Sequence, residues 1–168
     1  MDNQIRTVDQ VSAAFLHAAR KFLKAEYLPK IEQCLDQLSD EQIWWRANPA
    51  SNSIGNLVLH LVGNARQWIV SGLGGERDGR MRQREFDERS IIPRGELSTI
   101  LKKTLADVDD VLGKLAADEI LNEHQIQGYN VSALQAVFHV TEHFSMHTGQ
   151  IILLTKQLTG KDLDFDDL

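Results

Sequence analysis

The chain of 168 residues contains one cysteine, Cys34, which rules out an internal disulfide framework and suits a reducing compartment. No window approaches the length and apolarity of a membrane span. The first residues, MDNQIRTVDQ, lack the apolar core of a signal peptide. A cytoplasmic location without a membrane partner is therefore expected. Positive charge is scarce as well: 18 Lys and Arg stand against 24 Asp and Glu, a net charge of -6 with the signs mixed along most of the sequence. Nucleic-acid-binding proteins ordinarily carry a basic face or stripe, so no nucleic-acid partner is expected. The one strongly one-sided stretch, Asp164 to Asp167, reads as a solvated acidic end. No internal repeat is visible.

What remains is an ordinary globular composition, 42% hydrophobic and 25% charged, with enough chain for one substantial core. One domain over residues 1–168 is expected. The apolar residues recur at helical spacing almost throughout. A first segment runs from Val8 to Leu38, and Pro29 should kink or interrupt it. Ser39 to Gln42 reads as a capping box opening a short helix with Trp44 and Trp45. Ser53 can cap a third helix from Ile54 to Ser71, which Gly72, Gly74 and Gly75 end. A charged stretch from Glu76 to Ser90 precedes a helix from Glu96 to Ala116, and residues 118–131 read as turn-like without convincing strands, with Gln125, Ile126 and Gln127 the one place suited to a brief extended run. Ser132 and Gln135 form a capping box for a last helix reaching Leu158. Apolar residues surround that helix, which predicts it to be the most buried. Four long helices and one short one imply an all-α four-helix bundle with an additional short helix.

The last helix carries a row of histidines, His139, His143 and His147, in FHVTEHFSMHTGQIILL. Four-residue spacing stacks them on one face. Burying an imidazole costs free energy unless it finds a partner, and a metal ion is one such partner. Neighbours stand about 6 Å apart along the axis and can share an ion, whereas the outer two, at about 12 Å, cannot. One adjacent pair can therefore chelate, and a third ligand must come from elsewhere. His60 is the best candidate, at the edge of its helix's apolar stripe with Asn56, Asn64 and Gln67 on roughly the same face. His17, on an amphipathic helix, and His124, in a turn-like segment, are weaker. One histidine on an apolar helix is ordinarily a satisfied core residue; a row of three is harder to explain that way.

HFSMHTGQ resembles the signature of the DinB/YfiT-like metal-binding four-helix bundles, and NSIGNLVLHLVGNARQW resembles their histidine-bearing second long helix. WWR near residue 45 and the arginine-rich segment before Glu85 and Phe86 are similar to a poorly characterised branch of them. Carried over residue by residue, the resemblance implies a metal triad of His60, His143 and His147, with His139 one turn away as pocket wall or catalytic group. It also implies a homodimer, and chemistry with a low-molecular-weight thiol as transferred group or cofactor.

Three neutral imidazoles leave positions open for water or substrate, as in catalytic zinc sites. Imidazole suits several divalent ions, and zinc or nickel is expected here. Hydrolysis calls for a general base near the ion, and the nearest acid on the last helix, Glu142, points about 100° away from His143. A thiol S-transferase acting on a small molecule is thus the leading expectation. A hydrolase, with His139 or another helix supplying the base, is the alternative. A non-catalytic stress-related metal-binding module is the third reading. Within ERDGRMRQREFDER, one or two of Arg77, Arg80, Arg82, Arg84 and Arg89 can hold the carboxylate of a thiol cofactor, because guanidinium binds carboxylate bidentately. The resemblance favours Arg82 and Arg84; a solvated, salt-bridged loop is the other reading. Asn64 and Gln150, each close to one turn from a candidate ligand, are placed to hydrogen-bond around it.

Overall fold

In the computed structural model, which describes residues 2–165, the apolar stripes pack into a four-helix bundle. The acidic end read from the sequence lies partly outside the described residues. The first long rod comprises α1 (Asp2–Lys21), a π-helical turn (Phe22–Tyr27) and α2 (Leu28–Asp36). Pro29 does not interrupt it. The proline falls in the first turn of α2, directly after the π turn, whose Leu28 N–H reaches back to the Leu23 carbonyl. A first-turn proline loses little, and the wider turn before it relieves the crowding that would kink a regular helix.

The short helix α3 (Asp40–Ile43) opens on the capping box expected at Ser39 and Gln42. Trp44 follows it, buried, and its indole N–H donates to the Ile92 carbonyl at 3.0 Å; Trp45 is exposed. The second rod is α4 (Ile54–Ala65) continued by a π-helical turn (Arg66–Ser71). At its start the Ser53 hydroxyl accepts the Asn56 N–H at 3.2 Å, and the Asn56 side-chain carbonyl accepts the Ser53 N–H at 3.1 Å. The third and fourth rods are α6 (Arg94–Lys114) and α7 (Ala133–Thr159). Gly160, at φ 66°, closes α7 in the left-handed conformation that favours glycine.

Three further features depart from the sequence expectation. The most buried rod is α4, with ten of twelve residues buried, and not α7, with ten of 27. The apolar circumference of α7 includes an outward stripe of Leu134, Phe138, Met146 and Leu153. The segment expected to lack strands forms a hairpin, β1 (Glu123–Ile126) antiparallel to β2 (Tyr129–Ser132), with Ile126 opposite Tyr129. Its two-residue turn, Gln127 and Gly128, has φ of 54° and 82°, the double left-handed turn that matches strand twist. Finally, the charged stretch contains a short helix, α5 (Arg82–Asp87), laid against α4.

The core is one cluster drawn from all four rods, including Ile31, Leu61, Leu101, Leu105, Phe144 and Ile151. Cys34 is buried within it. Among the described residues, no helix is long and apolar enough to cross a membrane.

Candidate metal centre

The row on α7 and the single histidine on α4 meet inside the bundle. His143 Nε2 lies 3.0 Å from His60 Nε2 and 3.1 Å from His147 Nε2, and each of the three residues is at most 9% exposed. The ligand atoms of all three fall within 4.8 Å of one another. Nitrogens held about 2.0–2.1 Å from a common zinc ion stand roughly 3 Å apart, so the spacing fits shared coordination.

The far sides of the rings support the same reading. His60 Nδ1 lies 2.8 Å from Glu85 Oε2, and His147 Nδ1 lies 2.7 Å from Gln150 Oε1. Glu85 Oε2 and Gln150 Oε1 are acceptors and the shorter contacts, which assigns the proton to Nδ1 of His60 and His147 and turns their Nε2 lone pairs inward. Arg80 Nη2 also lies 3.2 Å from His60 Nδ1, and the buried His143 Nδ1 has no hydrogen-bond partner among the described residues. Desolvation, reinforced by the neighbouring imidazoles and Arg80, pushes the His143 pKa down to about 3. Burial likewise lowers His147 and His139. Buried imidazoles whose ring nitrogens converge are the donor set a divalent ion requires.

His139 does not reach this point. Its ring packs against Trp68, with centroids 4.2 Å apart, and stacks on His143 at 5.5 Å. Asn64 Nδ2 lies 3.1 Å from His139 Nε2. Of the two residues expected to hydrogen-bond around the site, Gln150 meets a triad member and Asn64 meets His139 instead. His17 is exposed, and His124 sits on β1, away from the cluster.

Behind His60 stands an ion pair that no spacing in the sequence pointed to. Glu85 from α5 bonds His60 through Oε2 and takes the Arg80 Nε–H on Oε1 at 2.7 Å, while Arg80 Nη2 reaches Oε2 at 3.0 Å. The Arg80 side chain is only 5% exposed and that of Glu85 11%. Burial opposes ionisation of Glu85, but the hydrogen bonds from His60 and Arg80, with the Arg80 charge, outweigh it and hold the carboxyl below its usual range.

Two features of α4 admit this pair. Asn56 Nδ2 donates to the Glu85 carbonyl at 2.8 Å, and Arg46 bridges the Asn56 side-chain carbonyl and the Glu88 carbonyl, which fixes α5. Gly63, one turn beyond His60, leaves the space: a Cβ there would collide with Glu85 Oε1. The Arg82 guanidinium, by contrast, lies 5.0 Å from the centroid of the Phe86 ring, which itself packs 4.6 Å from His60. Arg84 borders a cavity on the far side of the Arg80–Glu85 pair.

The comparisons with known proteins agree with this architecture. A DinB-like protein from Bacillus cereus ATCC 10987 superposes with a TM-score of 0.64 at 18% identity, over 82% of this chain and 90% of that one. A DinB-like protein from Bacillus subtilis gives 0.65 at 16% identity, over 88% and 94%. A conserved protein from Enterococcus faecalis gives 0.67 at 15%, over 90% and 97%. No curated protein matches. The fold is thus the DinB-like helical bundle that HFSMHTGQ and NSIGNLVLHLVGNARQW led us to expect. Residues 10–165 match the model of a family described as protein of unknown function, DUF1572, and the chain belongs to that family.

Proposed function

We propose that His60, His143 and His147 hold a divalent ion, zinc or nickel, and that the protein is a metal-dependent enzyme joining a low-molecular-weight thiol to an electrophilic small molecule. The ion, when bound, supplies Lewis acidity and favours the thiolate form of a coordinated thiol. In the overall exchange the thiol sulfur forms a bond to the acceptor carbon, the bond to the leaving group breaks, and the thiol proton departs with that group.

The observation that favours transfer over hydrolysis is the engagement of Glu85. Hydrolysis calls for a general base able to take a proton from water. Both Glu85 oxygens are already bonded, Oε1 to Arg80 and Oε2 to His60 and Arg80, and a carboxyl held below its usual range is a weaker base. Its role is to orient His60 and raise the basicity of its Nε2, as carboxylates behind metal-bound histidines do. A thiol of low pKa needs no such base.

The test is an assay of metal-loaded protein with several cellular thiols and an electrophilic acceptor, following loss of free thiol. Thiol-dependent turnover that disappears in His60→Ala and His143→Ala supports the reading. Absence of turnover with every thiol, alongside ester or amide hydrolysis, overturns it. Hydrolysis has one specific observation in its favour: His139 is half-buried, kept neutral by burial, and stacked on His143. If His139 acts as its base, His139→Gln reshapes the pH–rate profile while metal content stays at the wild-type level.

A further inference from the structure

On the far side of the Arg80–Glu85 pair lies a cavity of about 520 Å³, between α4, the π-helical turn that continues it and the segment leading through α5. That size falls in the range of small-molecule sites. No member of the histidine cluster lines it, yet Arg80 and Glu85 do, so the two spaces share a wall one ion pair thick.

The cavity is built in two parts. Leu59, Val62 and Ile92 give it an apolar floor, and four arginines contribute to its walls. Two of these are committed: Arg66 to Asp107 at 2.8 Å and Glu76 at 3.0 Å, and Arg80 to Glu85. The other acids on the wall are occupied too. Asp78 accepts from the Gln67 side chain at 2.6 Å and the Arg80 N–H at 2.9 Å, and Glu88 accepts from Ser90 and the Arg89 N–H. Arg77 and Arg84 remain with no anionic partner among the described residues, although acids outnumber bases in the chain as a whole. Arg77 and Arg84, both solvent-exposed, line the same cavity as this apolar surface, a combination complementary to a ligand with an anionic end and an apolar body.

We infer that this cavity binds an anionic small molecule, its carboxylate or phosphate held by Arg77 and Arg84 and its apolar part laid on Leu59, Val62 and Ile92. The inference stands apart from the thiol-transfer reading, since it uses no residue of the triad. It gives Arg84 a partner in Arg77, in place of Arg82, which is occupied with Phe86.

The probes are benzoate and phenyl phosphate, with benzyl alcohol as the neutral control, titrated calorimetrically into the full-length metal-loaded protein. Saturable one-to-one binding of either anion, and not of the alcohol, is expected. The double variant R77Q/R84Q weakens it by about tenfold or more, the scale of losing charge-assisted hydrogen bonds. R82Q binds as wild type and controls for general surface charge. The ratio of the two affinities tells carboxylate from phosphate ligands. Failure of both anions to bind, equal binding by R77Q/R84Q, or an equal loss in R82Q overturns the inference. Binding is also expected to persist in His143→Ala, so failure of the metal reading and failure of this one are separate results.

Discussion

A hydrogen atom in place of a methyl group at Gly63 is what lets Glu85 approach His60, because a Cβ would meet both the Glu85 carboxylate and Arg80 Nε, the latter at 3.1 Å. Gly63→Ala should therefore push Glu85 off His60 Nδ1 while leaving the helix intact, alanine being the better helix former. Metal affinity is expected to fall by about 10–100-fold, the usual effect of losing a partner behind a metal-bound histidine. Glu85→Gln should fall within the same range, since the amide keeps the shape and loses the charge. Competition titration against a metal-binding dye measures both, and wild-type affinity in the two variants would refute the role given to Glu85. The residues differ in how plainly they could be read beforehand. His143 and His147 announce themselves by four-residue spacing on an apolar helix, and Gln150 follows three residues on. Glu85 and Arg80 stand in ERDGRMRQREFDER among acids and bases of the same types. Nothing local marks which of them turn inward, because the choice is made by Asn56, Arg46 and Gly63 on other segments.

At the scale of elements, α4 is positioned by its first turn. Ser53, fully buried, exchanges hydrogen bonds with Asn56, and Asn56 in turn holds the carbonyls of the α5 segment. Ser53→Ala should cost about 1–2 kcal/mol in urea unfolding, the upper part of the range for a lost cap, because Asn56 loses a buried partner as well. A destabilisation of a few tenths would mean that Asn56 caps the helix alone. Besides their shared apolar core, the first and third rods are tied by ion pairs, among them those of Asp109 on α6, which accepts from Arg20 at 2.7 Å and Lys24 at 2.9 Å. The hydrogen bond from Arg20 leads in holding the Asp109 carboxyl below its usual range, with Lys24 adding to it. A carboxyl depressed in the folded state stabilises it fully above the unfolded value of about 3.9 and ceases to do so as pH falls through the folded value. Asp109→Asn should accordingly lose about 0.5–1 kcal/mol at pH 7, the scale of a partly screened pair. The gap from wild type should close below about pH 4, and a gap independent of pH would show that packing is responsible instead. The long helices and all three serine caps were legible because helical period and capping are local. The π turns and the hairpin were not. The π turn after Ala65 continues the same apolar stripe, and β1 and β2 are short, largely exposed and joined by Gln-Gly, not by the Asn-Gly or Asp-Gly that usually announces such a turn.

For the molecule as a whole, the cluster joins two rods, His60 from α4 with His143 and His147 from α7, at positions 83 residues apart in sequence for the closest cross-rod contact. An ion held at that junction binds the folded chain and finds no preformed site in the unfolded one. Binding must then stabilise the fold by mass action: at a free ion concentration 100 times Kd the gain is about 2.7 kcal/mol. For a chain of this size each kcal/mol moves Tm by about 2–4 °C, so saturating ion should raise Tm by about 5–11 °C, and a chelator should return it. His60→Ala and His143→Ala should keep a cooperative transition while losing the ion-dependent part, because each removes one of three donors from a site that needs all of them. His17→Ala, an exposed histidine outside the cluster, should respond as wild type does. Differential scanning calorimetry with and without the ion separates these outcomes. If the ion raises Tm equally in wild type and His60→Ala, it binds elsewhere, and the convergence of the three Nε2 atoms would then be a feature of packing alone.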